Sequence, residues 1–175
     1  MTEYVDIFDA NWNPTGEILD KEDAARQSKW HLAAHIWIVN PKGELLLQLR
    51  APTKSLHPNM WDISSAGHVR AGETVEGGGI REMREELGID ITESQLIPIT
   101  KNNSSSRNFH LHTTFLVRLD LPLDAFSFDD GEVAEVKYMP WRELAKMSDA
   151  DMLNNRILPH QEFKPLFGYL EKNFP

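Results

Sequence analysis

Apolar and polar positions along the 175 residues change period several times, and each change marks an element. Residues 5–8 and 17–19 alternate as short strands, joined by a turn at residues 11–16 that contains Pro14 and Gly16. Residues 20–27 predict a short helix with Asp20 as its N-cap. Residues 31–40 and 44–50 predict strands around the turn Pro41-Lys42-Gly43, with Ala33, Ile36, Ile38 and Leu45-Leu46-Leu47 as their apolar content. A short strand at 62–65 leads into a glycine-rich loop at 67–72. From Glu73 to Leu87 the period becomes helical, and Gly88 is suited to end that helix. Residues 96–101, 109–119 and 132–138 predict strands; 141–147 and 161–172 predict helices, with Pro140 just before the first. Strands interspersed with a few helices, without regular βαβ alternation, predict a mixed α/β (α+β) sandwich.

Composition narrows the picture. With 41% hydrophobic and 26% charged residues, the chain is suited to one domain with its own core. No apolar run approaches the ~20 residues of a membrane helix. The stretch Met1–Asp6 lacks the basic and apolar regions of a signal peptide. The absence of cysteine excludes disulfides, thiolate zinc sites and cysteine nucleophiles, and is consistent with a reducing cytoplasm, the expected location. A net charge of −9 argues against a nucleic-acid polymer as partner. It permits a small phosphorylated substrate if divalent cations neutralise the charge where the two meet.

The helix at 73–87 carries the informative chemistry. At about 100° per residue, Glu82, Glu85 and Glu86 fall within roughly one third of its circumference. Like charges at these spacings repel by a few tenths of a kcal/mol per pair, and near a helix C-terminus they also oppose the macrodipole. Local stability gives no reason for the cluster. A hard cation such as Mg²⁺ or Mn²⁺ does, because carboxylates on adjacent turns can share one or more ions. For a bare Glu-x-x-Glu-Glu, a solvated acidic face partnered by Arg81 and Arg84 is the simpler reading.

The whole segment from Gly67 to Ile89 removes that simplicity. It matches G-x5-E-x7-R-E-U-x-E-E-x-G-U at every fixed position, with Met83 and Ile89 as the aliphatic U. This resembles the Nudix signature. The resemblance extends over roughly residues 30–140, through the hairpin 31–50, the loop Pro58-Asn59-Met60-Trp61 and the strand before Gly67. It implies a Nudix-type αβα sandwich with a mixed central sheet: an extension over about 1–30, a core over about 30–140 and C-terminal helices over about 141–175 of a single domain. It also implies Glu82, Glu85 and Glu86 as metal ligands, the Gly67 carbonyl completing their shell, and Glu73 paired with Arg81 to orient them. Gly67 and Gly72 would let the loop turn tightly and approach the substrate. A further carboxylate commonly follows the helix in the family; here it is expected at Glu132, with Glu135 as the alternate. The run Gly77-Gly78-Gly79 departs from the helix formers usual there, at about 1 kcal/mol per glycine. Close packing against a strand, or a distorted first turn, are the two physical accounts of it.

Trp30-His31-Leu32-Ala33, Pro58–Trp61 and Ser65-Ala66-Gly67-His68 also resemble isopentenyl-diphosphate isomerase, a Nudix-fold enzyme. That enzyme depends on a cysteine where this chain has Ala66. Its metal-binding histidine corresponds to Ala24, and its acidic pair falls around His110 and His112. An isomerase-like subgroup of hydrolases is therefore implied, cleaving a phosphoanhydride in a nucleoside diphosphate linked to another moiety, or in a similar organic diphosphate. Glu86 or Glu132 would accept the proton of the attacking water, beside Glu85 as ligand, with Mg²⁺ or Mn²⁺ as cofactor. His68, in the glycine loop, and Arg70 are candidate substrate contacts alongside Gly67. His31, His110 and His112 read first as ordinary partly buried or surface histidines, and Trp37 and Trp61 as core before base-stacking platforms. The partner is a small diphosphate, with a homodimer left open. The rival readings are an isomerase and a nucleotide-binding Nudix module without catalysis.

Overall fold

The computed structural model describes residues 2–104 and 109–174. Strands β1 (Tyr4–Phe8) and β2 (Pro14–Asp20) form an antiparallel hairpin. Helix α1 (Lys21–Arg26) follows at once, capped by the Asp20 carboxylate, which accepts from the amides of Glu22 and Asp23. Val5, Ile7 and Ala24 bury together under this hairpin.

The central strand is β3 (Trp30–Val39). Along one side it runs parallel to β8 (His110–Arg118), from His31 opposite His110 to Val39 opposite Arg118. Strand β7 (Ile97–Ser104) lies antiparallel beyond β8. Three partners share the other side of β3. They are β1 at Ile7, β6 (Ser65–His68) from Ala33 to Ile36, and β4 (Glu44–Arg50) only where Val39 meets Leu45. The expected hairpin 31–50 therefore opens immediately after its turn. Strand β4 pairs instead with β5 (Trp61–Asp62) and β9 (Val133–Pro140). Ser64 fills the opening: its hydroxyl accepts from the Ile38 amide at 2.8 Å and donates to the Leu46 carbonyl at 2.6 Å. Residues 63 and 64 thus leave the ladder, and the single strand expected at 62–65 becomes two.

Alternation along β3 sorts its side chains onto two faces. Ile36 and Ile38 join Leu46, Phe115 and Val117 beneath α2 (Val75–Leu87), whose Met83 and Leu87 are fully buried against them. Trp37 and Val39 join Leu45, Leu47 and Leu116 on the opposite face, beneath α3 (Trp141–Leu144), α4 (Asp149–Asn154) and α5 (Phe163–Asn173). The result is the expected helix–sheet–helix sandwich with a mixed sheet, each buried Leu, Ile or Val contributing about 1.5–3 kcal/mol. Trp37 is fully buried in this core, and Trp61 is partly buried beneath the Lys137 ammonium, 3.9 Å from its ring centroid.

Helix boundaries differ from the sequence reading for identifiable reasons. Helix α2 begins at Val75 because Thr74 caps it, accepting from the Gly77 amide; it ends at Gly88 in the left-handed conformation at φ 68°. The helix expected at 141–147 stops at Leu144. Ser148 and Asp151 then form a reciprocal capping box that starts α4, an element the apolar pattern did not reveal. The glycine run packs closely against strands. A Cβ on Gly78 would stand 3.1 Å from Val69 Cγ2, and one on Gly79 would stand 3.1 Å from Ile36 Cδ1 and 3.2 Å from Ala34 Cβ. The first turns of α2 are thereby brought almost onto β3, which sets the helix's height above the sheet.

Candidate active site

Close packing of α2 determines how wet each glutamate is. Glu86 is 4% exposed, and the Glu82 and Glu85 side chains are 14% and 39% exposed. Strand β6 forms the floor. The amide of Ala66 donates to Glu86 Oε2 at 3.1 Å, and Gly67 passes so near Glu82 that any Cβ there would collide with its carboxylate. Glycine at 67 thus lets the backbone approach the Glu82 carboxylate, which a Cβ would displace, and its carbonyl is carried by the same segment.

Arg81 holds the cluster in place. Its guanidinium donates through Nε and Nη2 to both oxygens of Glu73 at 2.9 and 3.0 Å, and through Nη2 to the His68 carbonyl at 2.8 Å. Its Nη1 reaches Glu82 at 2.7 Å and Glu85 at 3.0 Å. One planar fork therefore ties loop, strand and two candidate ligands together. Burial pulls Arg81 toward losing its proton, but Glu73 and Glu82 outweigh it and hold it more firmly protonated than a free arginine. Arg70 also lies beside the carboxylates, its Nη2 3.3 Å from Glu85, with its Nε 3.5 Å from Glu3.

The half-buried Arg81 guanidinium does not balance this charge. Burial pushes the Glu86 carboxyl up to about 8, with the charges of Glu82 and Glu132 adding to the effect against the Ala66 amide. Burial also raises Glu82, with Arg81 opposing. Two adjacent carboxylates that resist ionisation, Glu86 against the Ala66 amide and Glu82 against Gly67, are the environment a hard divalent cation would relieve.

The acidic loop that leads into β9 approaches from the side. Glu132 and Asp130 lie near enough for their charges to be felt at Glu86 and Glu85. Glu132 pairs with Lys54 in a short contact, and its backbone carbonyl accepts from Ala51 at 2.8 Å. Glu135 sits on β9 opposite Leu49, and nothing among the described contacts joins it to the glutamates.

His68 goes elsewhere. Within β6, alternate side chains point to opposite faces, so His68 and Ala66 lie away from α2, on the side of His31 and His35. His68 Nε2 faces His110 Nε2 at 3.1 Å, and the His31 ring stacks 5.3 Å from that of His68. His31 Nδ1 lies 3.0 Å from the Lys29 carbonyl, which can only accept, so Nδ1 carries the proton and the buried Nε2 is left with no partner. Burial holds all three imidazoles below their ordinary range, His68 well below and His110 down to about 3. Three neutral rings with ligand atoms within 4.8 Å of one another could hold a borderline divalent metal.

Below them on the same face lies a second group. His35 and His112 stack at 4.2 Å; His35 contacts Glu162, and His160 contacts Asp62. Sequence reasoning singled out His112 but missed His35, His160, Glu162 and Asp62. His35 shares strand parity with His31, a usable signal. Nothing local marks His160 and Glu162, which reach the sheet only through the path of the chain before α5.

The NUDIX domain profile matches residues 29–161. Among curated proteins, Nudix hydrolase 3 of Arabidopsis thaliana is 34% identical over 151 residues, 81% of this chain but 20% of its own length. A Nudix hydrolase of Listeria monocytogenes, named as uncharacterised, is 31% identical over 167 residues, 93% of this chain and 92% of the relative. The isopentenyl-diphosphate Delta-isomerase of Escherichia coli is 38% identical over 97 residues, 55% of this chain and 53% of the isomerase. The chain thus spans about a fifth of the Arabidopsis protein and about half of the isomerase. Among solved structures, DR0079 from Deinococcus radiodurans matches with TM-score 0.66 and 25% identity, over 88% of this chain and 98% of that one. A bifunctional NMN adenylyltransferase/ADP ribose pyrophosphatase from Francisella tularensis, solved with AMP and a Mn ion, has the same fold at TM-score 0.55 and 18% identity, over 81% of this chain and 41% of that one. The chain belongs to the NUDIX domain family and, with its relatives, to the Nudix hydrolases.

Proposed function

We propose that this enzyme hydrolyses a phosphoanhydride bond in a nucleoside diphosphate linked to another moiety, or in a similar organic diphosphate. The observation that carries this reading is the under-compensated pair of buried Glu86 and half-buried Glu82, set against β6 at Ala66 and Gly67, with Glu85 at its edge. These carboxylates and the Gly67 carbonyl are the ligands proposed for Mg²⁺ or Mn²⁺. When bound, such an ion supplies charge neutralisation of the diphosphate and a lower pKa for the attacking water. Arg81 and Glu73 hold the carboxylates in register. Arg70, at the rim, can swing from Glu85 toward a phosphate. Glu86 or Glu132 accepts the proton from water. The Mn ion and AMP of the Francisella structure, a related fold, are in keeping with that cofactor and substrate class.

The test is a panel of nucleotide sugars, ADP-ribose, dinucleoside polyphosphates, coenzymes and isoprenoid diphosphates with and without divalent metal, the best substrate then being run in ¹⁸O water. Product formed equally in EDTA would overturn the metal assignment. The similarity to the Escherichia coli isomerase favours a second reading, proton transfer on an isoprenoid diphosphate. Ala66 supplies a methyl group where that family requires a thiol, so deuterium exchange into isopentenyl diphosphate is expected to be absent. Tight nucleotide binding without product would instead favour a non-catalytic module. Among the described residues no helix is long and apolar enough to cross a membrane. We further read the 175 residues as one domain acting in the cytoplasm on a small diphosphate, not on a nucleic-acid polymer, with a homodimer to be tested by sedimentation.

A further inference from the structure

We propose that His35, His112, His160 and Glu162 form a binding site for one borderline divalent transition-metal ion of the Zn²⁺ or Co²⁺ type, which fastens the start of α5 to the central sheet. The four residues come from three places: His35 from β3, His112 from β8, and His160 and Glu162 from the segment entering α5. Glu162 occupies the N-cap of α5, yet its side chain makes no capping hydrogen bond. At 1% exposure it turns inward to the sheet.

There its two oxygens meet three imidazoles. Oε1 lies 2.8 Å from His35 Nδ1 and 3.7 Å from His160 Nδ1, and Oε2 lies 3.8 Å from His112 Nε2. The two longer separations exceed a hydrogen bond. They are close to the spacing of neighbouring ligands on one ion at about 2.0–2.2 Å. The ligand atoms of His35, His160 and Glu162 all fall within 4.8 Å of one another. His112, 4% exposed, leaves its Nε2 with no hydrogen-bond partner, a costly arrangement unless something fills the space it faces.

The surroundings are arranged as they are around a ligating histidine. His160 Nε2 donates to Asp62 Oδ1 at 2.8 Å, which leaves Nδ1 for coordination, and Asp62 Oδ2 accepts from Arg50 at 3.1 Å. A carboxylate behind a histidine in this way fixes the ring and its tautomer. Three nitrogens and one carboxylate favour a borderline ion over Mg²⁺. His160 also borders a cleft of about 630 Å³ between α3, α4 and α5. The site shares no residue with the His31–His68–His110 group and lies on the sheet face opposite α2.

The experiment uses the full chain carrying Glu85→Gln and His68→Asn, in excess Mg²⁺, so that neither of the other two candidate sites supplies the signal. Titration with Co²⁺ is followed by visible absorption and calorimetry, with Zn²⁺ as competitor. One equivalent with a nitrogen-ligated spectrum is expected. Adding Glu162→Gln or His112→Gln should weaken binding at least tenfold, and Asp62→Asn about 10- to 100-fold. Zn²⁺ should raise Tm in the parent and not in the Glu162→Gln variant. Should Glu162→Gln fail to fold, His112→Gln, which breaks no hydrogen bond, decides the matter. Absence of a nitrogen-ligated spectrum, or Co²⁺ affinity unchanged by His112→Gln, overturns the proposal and leaves an ion-pair network only.

Discussion

On the α2 side of β6 the side chains brought together are carboxylates, while on the other side of the same short strand they are imidazoles. The first group is concentrated in sequence: Glu82, Glu85 and Glu86 lie on one helix, and Arg81 beside them supplies the main counter-charge. The second is dispersed. Six of the seven histidines, from β3, β6, β8 and the entrance to α5, contact one another across one sheet face. Hard oxygen donors on one side and borderline nitrogen donors on the other select different ions. A single strand thus separates the two proposed kinds of site, and the proposed reaction belongs to the oxygen side.

The largest effect that separates the two sides is on turnover. Glu86→Gln or Glu85→Gln should cut kcat by about 1,000-fold, roughly 4 kcal/mol of barrier, while circular dichroism stays native. His110→Asn, on the opposite face, should stay within about tenfold of the parent. Near-normal turnover in both glutamine variants would end the assignment of chemistry to α2, and a large loss in His110→Asn would shift it to the histidine face.

Acid and base should next distinguish the two sides in opposite directions. Glu86 ionises near 4.5 when unfolded and at about 8 when folded, so the folded state binds the extra proton between those values. Stability without metal therefore falls as pH rises across that window, by roughly 3 kcal/mol after allowance for relaxation. His110 and His112 are depressed from 6.5, mainly by burial, to about 3 and about 4. The unfolded chain takes up their protons first, so their contribution is complete above 6.5 and is lost as pH falls toward the folded values. Melting in EDTA should show both limbs. Glu86→Gln should flatten the alkaline limb and His110→Asn the acid limb, and Mg²⁺ should reduce only the alkaline one. A melting profile unchanged by either substitution would remove the electrostatic distinction.

How much of each side could be read from the sequence follows from how each is built. The glutamates are local: helical spacing places them on one face, and the fixed pattern from Gly67 to Ile89 carries their context. A mixed α/β sandwich was legible for the same reason, through strand and helix periods, while its αβα layering came from the resemblance. The histidine face depends on parallel pairing of β3 with β8, across more than seventy residues, and on Glu162 turning inward instead of capping α5. Neither has a local signature. Strand parity could have joined His35 to His31. No spacing rule would have brought His160 to Asp62, or divided β5 from β6 around Ser64.

A smaller effect concerns the fork that ties loop and helix. Arg81→Lys keeps the charge but cannot reach Glu73, Glu82, Glu85 and the His68 carbonyl at once. A loss of about 10- to 100-fold in kcat is expected, with binding on the histidine face unchanged. If metal affinity at both faces fell together, the His68 carbonyl contact would be coupling the two sides through β6.

The smallest effect tests what keeps the faces apart. Gly77, Gly78 and Gly79 would each give up about 1 kcal/mol to alanine in an open helix. At Gly79 the space is closed: a Cβ would press on Ile36 Cδ1 at 3.1 Å and Ala34 Cβ at 3.2 Å, the β3 residues that flank His35. Gly77 would meet only the Thr74 hydroxyl at 3.0 Å, the cap of α2, which need give by only a few tenths of an ångström and can keep its bond to the residue 77 amide. Gly77→Ala should therefore hold or raise Tm. Gly79→Ala should lower it by about 2–4 °C, a net loss of about 1 kcal/mol once crowding exceeds the gain in helix propensity. Lifting α2 from β3 also moves Glu82 and Glu86 away from Gly67, so Gly79→Ala should raise the Mg²⁺ requirement, measured as the concentration giving half-maximal rate. Equal stabilisation by both alanines, with no change in that requirement, would mean that the glycine run does not set the height of the carboxylates above the strand.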